Sequence, residues 1–201
     1  MSLKKLNLNK TLSVILIVCA IVGLVASFAL SYDQIKILKN PNYKPSCDLN
    51  PIVSCGNVMQ SAEGDVFGFP NPFIGLAAFG GLLAVGAGML AGAKYKRWFM
   101  LGLEAGAVFG ILFVHWLFFE SVYKISALCP YCMAVWVITI VSFWYISLYN
   151  VDNNYIVLKN KSLIKCYGWV RKHHLDIVVL WIVIIAFLII KHFWYYIGHH
   201  L

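Results

Sequence analysis

Long apolar segments separated by short polar ones dominate the chain. Five of them are long enough to cross a bilayer as helices, which takes roughly 20 residues each; they cover 11–31, 72–93, 98–119, 127–149 and 175–197. The first exceeds the apolar core of a secretory signal, roughly 7–15 residues, and has no clear small-residue cleavage site, so we interpret it as an anchor. The pattern predicts an all-α integral membrane protein.

Composition agrees with a chain that is solvated largely by lipid. The 201 residues are 61% hydrophobic and only 12% charged, with a mean hydropathy of +0.79. A soluble domain would be about half apolar and about a quarter charged. The net charge of +8 comes from basic residues between the apolar segments, which are better read as topology signals than as a nucleic-acid surface.

The basic residues predict the orientation. If the N-terminus is cytoplasmic, most of the 16 Lys and Arg residues fall inside, including Lys4 and Lys5, and those outside are Lys36, Lys39, Lys44, Lys124 and Lys191. An excess of Lys and Arg marks the cytoplasmic side. We therefore expect a multi-pass protein of the cell (inner) membrane, whose outer loop at 32–71 faces the periplasm or the cell exterior.

This orientation sorts the six cysteines. Cys47 and Cys55 fall in the outer loop, and Cys129 and Cys132 fall where the fourth span begins on the same side. Disulfides persist in such an outer compartment. The other two, Cys19 in the first span and Cys166 in the cytoplasmic loop, carry no redox signal.

The Cys129-Pro130-Tyr131-Cys132 motif opens an apolar helical run. The spacing predicts Cys129 at the N-cap, Pro130 at the first helical position, where its missing N–H costs nothing, and Cys132 near the third. The partial positive charge of a helix N-terminus stabilises a thiolate there. The motif indicates redox chemistry rather than half a zinc site. A soluble glutaredoxin-like setting would need a βαβ unit, which the sequence lacks.

The outer-loop pair allows three interpretations. Cys47 and Cys55 flank an Asn50-Pro51 turn signal, and the short loop between them suits a disulfide that closes and reopens. The pair could exchange electrons with the helix motif, form a static disulfide, or join Cys129 and Cys132 in a four-thiolate zinc site.

Three segments stand out by their order and spacing: CDLNPIVSC at 47–55, FGFPNP at 67–72 followed by Gly75, and CPYCMAVW at 129–136. Together they resemble the vitamin K epoxide reductase family, most closely its prokaryotic members. The resemblance extends from the first span through the fourth.

The resemblance implies a four-helix catalytic core at 1–150 around a quinone pocket. A partly helical outer loop would cap the pocket, and residues 151–201 would supply a cytoplasmic loop and a fifth membrane helix. It further implies that Cys132 reacts with the quinone, either menaquinone (vitamin K) or ubiquinone. Cys129 would exchange with Cys55, and Cys47 would meet the external thiol. Ser61 and Asn71 correspond to a hydroxyl residue on the cap and to an amide that binds a quinone oxygen.

Two departures refine the expected function. Trp136 stands where animal members carry a tyrosine that hydrogen-bonds the quinone, which disfavours epoxide reduction. Many prokaryotic members are fused to a thioredoxin-like domain, which we do not expect here, so the partner should be a separate thioredoxin-fold (DsbA-like) protein outside. We predict a membrane thiol:quinone oxidoreductase that generates disulfides. The alternatives are a vitamin K quinone or epoxide reductase in the strict sense and a non-enzymatic zinc-binding membrane protein.

Other residues raise narrower expectations. His115, at the outer end of the third span, is either a proton donor for quinone reduction or an interfacial histidine. Glu104 within that span marks a functional group or a partner of Arg97. Glycines at four-residue intervals predict close helix packing: Gly88, Gly92, Gly102, Gly106 and Gly110. His199 and His200 suggest a solvated tail.

Overall fold

The computed structural model describes residues 8–198, with side chains from 9 to 194. Lys4, Lys5, His199 and His200 lie outside this range. The described chain forms the helices α1 (Leu8–Lys39), α2 (Cys55–Met59), α3 (Asn71–Leu90), α4 (Arg97–Phe119), α5 (Pro130–Asp152), α6 (Lys161–Lys172) and α7 (His174–Gly198).

Five of these helices are long and apolar enough to cross a membrane, which confirms the predicted number of spans: α1, α3, α4, α5 and α7. Two of them extend further than the hydropathy pattern predicts. Helix α1 continues to Lys39, so the outer loop begins at residue 40 rather than 32, and α4 continues as a π-helical turn, Glu120–Ile125. The outer loop stabilises the added turns of α1, because the Tyr43 hydroxyl of the loop donates to Asp33 Oδ1 of the helix over 2.9 Å.

Helices α1, α3, α4 and α5 form the predicted bundle. Helix α1 packs against α3 and α5, and α4 packs against α5, whereas α3 and α4 scarcely touch. Close approach between α1 and α3 occurs at Gly23, which faces the Phe79 ring, and at Gly75, which faces Ser27. The bundle is therefore open along one side, between α3 and α4.

The prediction that the α4 glycines mediate close packing is wrong for two of them. A Cβ built on Gly102 or Gly106 meets no atom within 4 Å, and only Gly110 has a neighbour, Thr139, at 3.6 Å. The four-residue spacing is present, but these glycines border the open side of the bundle. The glycines that come closest to a partner helix lie outside that pattern: Gly23 of α1, and Gly75 and Gly86 of α3.

Helices α6 and α7 lie outside the bundle. Residues Ile189 and Phe193 of α7 pack into the same buried cluster as Trp136 of α5. Helix α6, which the sequence did not predict, docks on the inner end of α5. There the Tyr167 hydroxyl donates to Asp152 Oδ1 over 2.7 Å and Arg171 forms an ion pair with the same carboxylate.

The outer loop is partly helical, as the resemblance implies, since it contains α2 and a 3₁₀ turn at Ala62–Gly64. A parallel bridge joins Val53 to Leu128. The Ser54 N–H donates to the Leu128 carbonyl over 3.0 Å, and the Leu128 N–H donates to the Ile52 carbonyl over 2.6 Å. The loop is thus anchored directly beside the start of α5.

Candidate functional site

The Cys129-Pro130-Tyr131-Cys132 motif begins α5 as its spacing predicts. Cys129 is the N-cap and Pro130 the first helical residue. The Cys129 Sγ accepts a hydrogen bond from the Cys132 backbone N–H over 3.4 Å. The two thiols therefore lie one turn apart at the outer mouth of a membrane helix.

The surroundings of Cys129 favour its thiolate. The pKa of Cys129 is lowered, chiefly because the Cys132 thiol donates a hydrogen bond to its sulfur. Burial opposes this effect, and the backbone N–H groups of Tyr131 and Cys132 add to it. Because a thiol with a lower pKa is the better leaving group in disulfide exchange, Cys129 is the sulfur of the motif suited to be released from a mixed disulfide.

The outer-loop cysteines form a disulfide next to Cys129. Cys47 and Cys55 are joined, with their Cα atoms 5.7 Å apart. Both belong to one buried cluster with Cys129, and Cys55 and Cys129 have no exposed surface. Cys47 retains 8% exposure, so it is the more accessible member of the pair.

Side chains of the loop fix the position of Cys55. Ser54 caps α2 by accepting from the Asn57 N–H. Asp48 Oδ1 accepts from the Gly56 N–H over 2.9 Å and from the Ser54 hydroxyl over 3.1 Å. Cys55 lies two residues after Val53, and Cys129 lies one residue after Leu128, so the bridge between Val53 and Leu128 brings the two cysteines to the same place. The loop disulfide therefore lies beside the helix motif.

A mainly apolar cavity of about 200 Å³ lies beneath the loop, and Cys132 lines it. Ser61, Asn71 and Trp136 also line it, so the structure brings together every residue that the resemblance assigned to the quinone pocket. The cavity has polar atoms to offer: Gln34 Oε1 and Asn71 Oδ1 are buried and have no partner among the described residues. Both atoms are hydrogen-bond acceptors, so this apolar wall fits a ring that carries hydroxyl groups able to donate to them.

Hydrogen bonds orient the polar side chains of this cavity. Asn71 Nδ2 donates to the Glu63 carbonyl over 2.6 Å, which leaves Oδ1 and a second N–H for a ligand. The Ser61 hydroxyl donates to the Val58 carbonyl over 2.8 Å and keeps its lone pairs. Trp136 is 4% exposed and packs edge-on against Phe118, with ring centroids 5.3 Å apart.

The sequence model of the vitamin K epoxide reductase family matches residues 14–147. This match spans α1 to α5 and includes both cysteine pairs and the whole cavity wall. The chain belongs to this family. A comparison with curated proteins gives no significant match. Family membership and the five membrane helices together indicate a multi-pass membrane oxidoreductase.

A second cavity, of about 540 Å³, adjoins the cavity that Cys132 lines and extends away from the outer loop. The two cavities share wall residues on α3, α4 and α5, among them Phe79, Gly106 and Thr139. The second cavity lies along the gap between α3 and α4, where Gly102 leaves space. An elongated apolar molecule can therefore extend from the family's pocket along the open side of the bundle.

The candidate proton donor suggested by the sequence does not line this pocket. His115 Nε2 accepts from the Trp181 indole N–H of α7 over 3.0 Å, and its Nδ1 lies 2.8 Å from the Ile111 carbonyl. Its ring therefore connects α4 to α7. The structure therefore places His115 in a contact between helices and outside the cavity wall.

Glu104 is not a partner of Arg97. Its carboxylate accepts from the Ser147 hydroxyl over 2.6 Å and from Asn150 Nδ2 over 2.8 Å. The Arg97 side chain instead donates to the Tyr155 carbonyl. Glu104 joins α4 to α5 in the half of the bundle that lies away from the Cys129–Cys132 motif.

Two cavity residues were missed by sequence reasoning. Gln34 was placed in the outer loop because the apolar run ends at residue 31, but it lies in α1 and is 8% exposed. Sequence reasoning did not assign Glu120 to the pocket, yet it is 3% exposed and lines the pocket. The signal that could have indicated Glu120 is its position directly after an apolar span, because a carboxylate at the end of a span is either solvated or specifically paired.

Proposed function

We propose that this protein is a thiol:quinone oxidoreductase that generates disulfides in the outer compartment. Two electrons pass from a reduced thiol partner to the outer-loop pair, then to the helix motif, and then to a membrane quinone. The quinone is menaquinone (vitamin K) or ubiquinone. The active site faces the periplasm or cell exterior, and the membrane is the cell (inner) membrane.

One observation carries this proposal: Cys132 lines an apolar cavity inside the bundle, while Cys129, one turn away, packs against the Cys47–Cys55 disulfide. A pair of thiols with one member toward each medium can connect a water-borne thiol to a lipid-borne acceptor. A static structural disulfide would need no such neighbour.

The thiol steps follow from exposure and position. A partner thiolate attacks Cys47, the more exposed sulfur, and the partner leaves oxidised with the loop pair reduced. The Cys55 thiolate then attacks Cys129 of the oxidised motif, and Cys47 displaces Cys129 to restore the loop disulfide. Each exchange breaks one S–S bond and forms another.

The motif dithiol then reduces the quinone. A bound quinone supplies an acceptor for two electrons and two protons, and Cys132, on the cavity wall, is the thiol that reaches it. The second N–H of Asn71 donates to a ring oxygen and stabilises the negative charge that develops there. The Ser61 hydroxyl donates to the Val58 carbonyl, so it accepts a hydrogen bond from a hydroxyl of the reduced ring. The gap between α3 and α4 and the second cavity suit an isoprenoid tail in lipid.

The expected partner is a separate thioredoxin-fold (DsbA-like) protein. Its support is indirect: the reducible loop disulfide faces the outer compartment and is only slightly exposed, so access requires a partner that docks on the loop. The groove beside the active site of a thioredoxin-fold protein meets this requirement better than a freely diffusing bulky thiol.

Turnover of the purified protein in lipid nanodiscs tests the proposal. The assay follows quinone reduction with a reduced thioredoxin-fold partner and, separately, with a small dithiol. Alanine variants of Cys47, Cys55, Cys129 and Cys132 should each lose turnover with the protein partner. The two loop variants should retain activity with the small dithiol, which reaches Cys129 directly. Cys19→Ala and Cys166→Ala are matched controls and should behave as the wild type.

Three results would overturn the proposal. The first is full partner oxidation by Cys47→Ala. The second is stoichiometric zinc in the purified protein without quinone-dependent thiol oxidation, which would favour a metal-binding role. The third is efficient conversion of vitamin K epoxide with no quinone-dependent disulfide formation, which would make the strict epoxide reductase the better description.

A further inference from the structure

A buried carboxylate in the cavity wall has no role in the thiol exchange. Glu120 is 3% exposed and lies at the start of the π-helical turn that extends α4. It lines the same cavity as Cys132. A buried carboxylate is costly unless it is paired, so its position in an apolar pocket calls for a partner and a function.

Lys124 provides the partner and a route to water. Its Nζ lies 2.9 Å from Glu120 Oε1, to which it donates a hydrogen bond, and 2.7 Å from Oε2. Oε2 has no hydrogen-bond donor among the described residues. The Lys124 side chain is 59% exposed whereas that of Glu120 is 4% exposed. The pair therefore spans the distance from the outer aqueous surface to the cavity.

The other titratable groups near this pair come from three elements. Cys132 of α5 and Glu63 of the 3₁₀ turn line the same cavity. The negative charge of Glu63 attracts the Lys124 ammonium group. His192 of α7 packs against Tyr123, the residue that precedes Lys124 in the sequence. His115 points toward Trp181 instead. Among the described residues, Glu120 is thus the buried cavity carboxylate with an exposed counter-ion.

We propose that Glu120, recharged through Lys124, delivers a proton to an oxygen of the bound quinone. The inference rests on the proposed function. In the redox step Cys129 and Cys132 lose two electrons and two protons and form a disulfide, and the quinone gains two electrons and two protons. Glu120 supplies one of these protons and becomes a carboxylate paired with Lys124. It then regains a proton from the outer surface, where the thiol protons are released, so the balance closes.

The first test compares Glu120→Gln with the wild type, using the small dithiol and a short-chain ubiquinone in nanodiscs. A single general acid contributes typically about 10²–10⁴-fold, so kcat should fall by at least about 10²-fold while the KM for quinone changes little. Glu120→Asp should recover part of the loss. Asp65→Asn is the matched control, because Asp65 is an exposed carboxylate of the outer loop and does not line the cavity.

A second readout separates proton transfer from structural damage. In redox-induced infrared difference spectra the wild type should show a carboxylic-acid carbonyl band that changes on quinone reduction, and Glu120→Gln should lack it. Quenching of tryptophan fluorescence by quinone should be the same in both, because Trp136 lines the intact cavity. Lys124→Gln should also lower kcat, because it removes the proposed route by which Glu120 regains its proton.

The outcomes distinguish the inference from the proposed function. If the wild type oxidises dithiol without reducing quinone, the function itself is wrong. If the wild type reduces quinone and Glu120→Gln keeps turnover within about twofold, the proton-delivery role alone is refuted. The same conclusion follows if the infrared band persists in Glu120→Gln.

Discussion

Cys129 and Cys132 differ in surroundings although one helical turn separates them. Cys129 sits at the helix cap beneath the outer loop, receives hydrogen bonds from the turn that follows and contacts the loop disulfide. Cys132 faces the cavity. A single motif therefore contains one sulfur adapted to exchange with thiols and one placed to react with a lipid-borne acceptor.

The first residue-scale prediction concerns the source of the lowered pKa of Cys129. In a chain with Cys19, Cys47, Cys55 and Cys166 replaced by alanine, ultraviolet absorbance reports the Cys129 thiolate. Cys132→Ala should move its titration midpoint to higher pH, because the largest stabilising hydrogen bond is lost. Cys132→Ser retains a donor and should shift it less. Equal midpoints in the two variants would show that the helix terminus, rather than the neighbouring side chain, sets the pKa.

At the same scale, the sequence identified most of the site and missed what depends on side-chain direction. The N-cap placement of Cys129 followed from the position of Pro130, a local rule. Gln34 escaped because hydropathy cannot tell where a helix ends when its last turns are covered by a loop. The direction of His115 was beyond prediction, since its partner Trp181 is 66 residues away in the sequence.

At the scale of elements, the short helix α2 holds Cys55 in place through few contacts. Its five residues cannot form a stable helix alone, so the Ser54 cap and the Asp48 bonds are needed to position it. The parallel bridge from Val53 to Leu128 then fixes the loop to α5. Together, the Ser54 cap, the Asp48 hydrogen bonds and the bridge hold Cys55 at a fixed position relative to Cys129.

Removing the cap should loosen this helix. Ser54→Ala is expected to cost about 1 kcal/mol of local stability, the usual value for a lost N-cap. Hydrogen exchange at residues 55–59 should become several-fold faster, while exchange within α5 stays unchanged. Ser46→Ala is the control, as Ser46 is an exposed residue of the same loop. Unchanged protection in Ser54→Ala would show that the disulfide alone orders α2.

The two kinds of glycine in the bundle should respond oppositely to alanine. At Gly23 a Cβ would overlap the Phe79 ring, and overpacking of this kind typically costs about 1–3 kcal/mol. At Gly102 the space is open, and alanine gains about 0.8–1.0 kcal/mol of helix propensity. Thermal unfolding in detergent should therefore show a lower Tm for Gly23→Ala and an equal or higher Tm for Gly102→Ala. A lower Tm for Gly102→Ala would indicate that α3 and α4 close together.

At the scale of the whole molecule, the number of membrane helices was predictable because hydropathy and segment length determine it. The four-helix core was expected only from the family resemblance. The openness between α3 and α4 was not predictable. The glycine spacing in α4 indicated contact, whereas Gly102 and Gly106 border a cavity, and a spacing rule alone cannot tell a packed glycine from one that keeps a space free. Helix α6 was missed because its amphipathic, strongly basic sequence lacks a long apolar run.

The proposed orientation can be measured on intact cells. Cys166 is exposed and lies on α6, so a membrane-impermeant maleimide should label it only after the cytoplasmic face is made accessible. A cysteine introduced by Lys44→Cys in the outer loop should be labelled without permeabilisation, and Cys166→Ala should remove the inner signal. Labelling of Cys166 in intact cells would reverse the assigned orientation.

The open side between α3 and α4 has a consequence for inhibition. Because the proposed quinone arrives from lipid and the thiol donor from water, the two substrates occupy different spaces and do not exclude each other. A lipophilic compound that fills the cavity would leave exchange between the loop and the helix motif intact. Electrons would then accumulate, and such a compound would arrest the protein with all four outer cysteines reduced, a state that free-thiol counting could use to screen for ligands of the cavity.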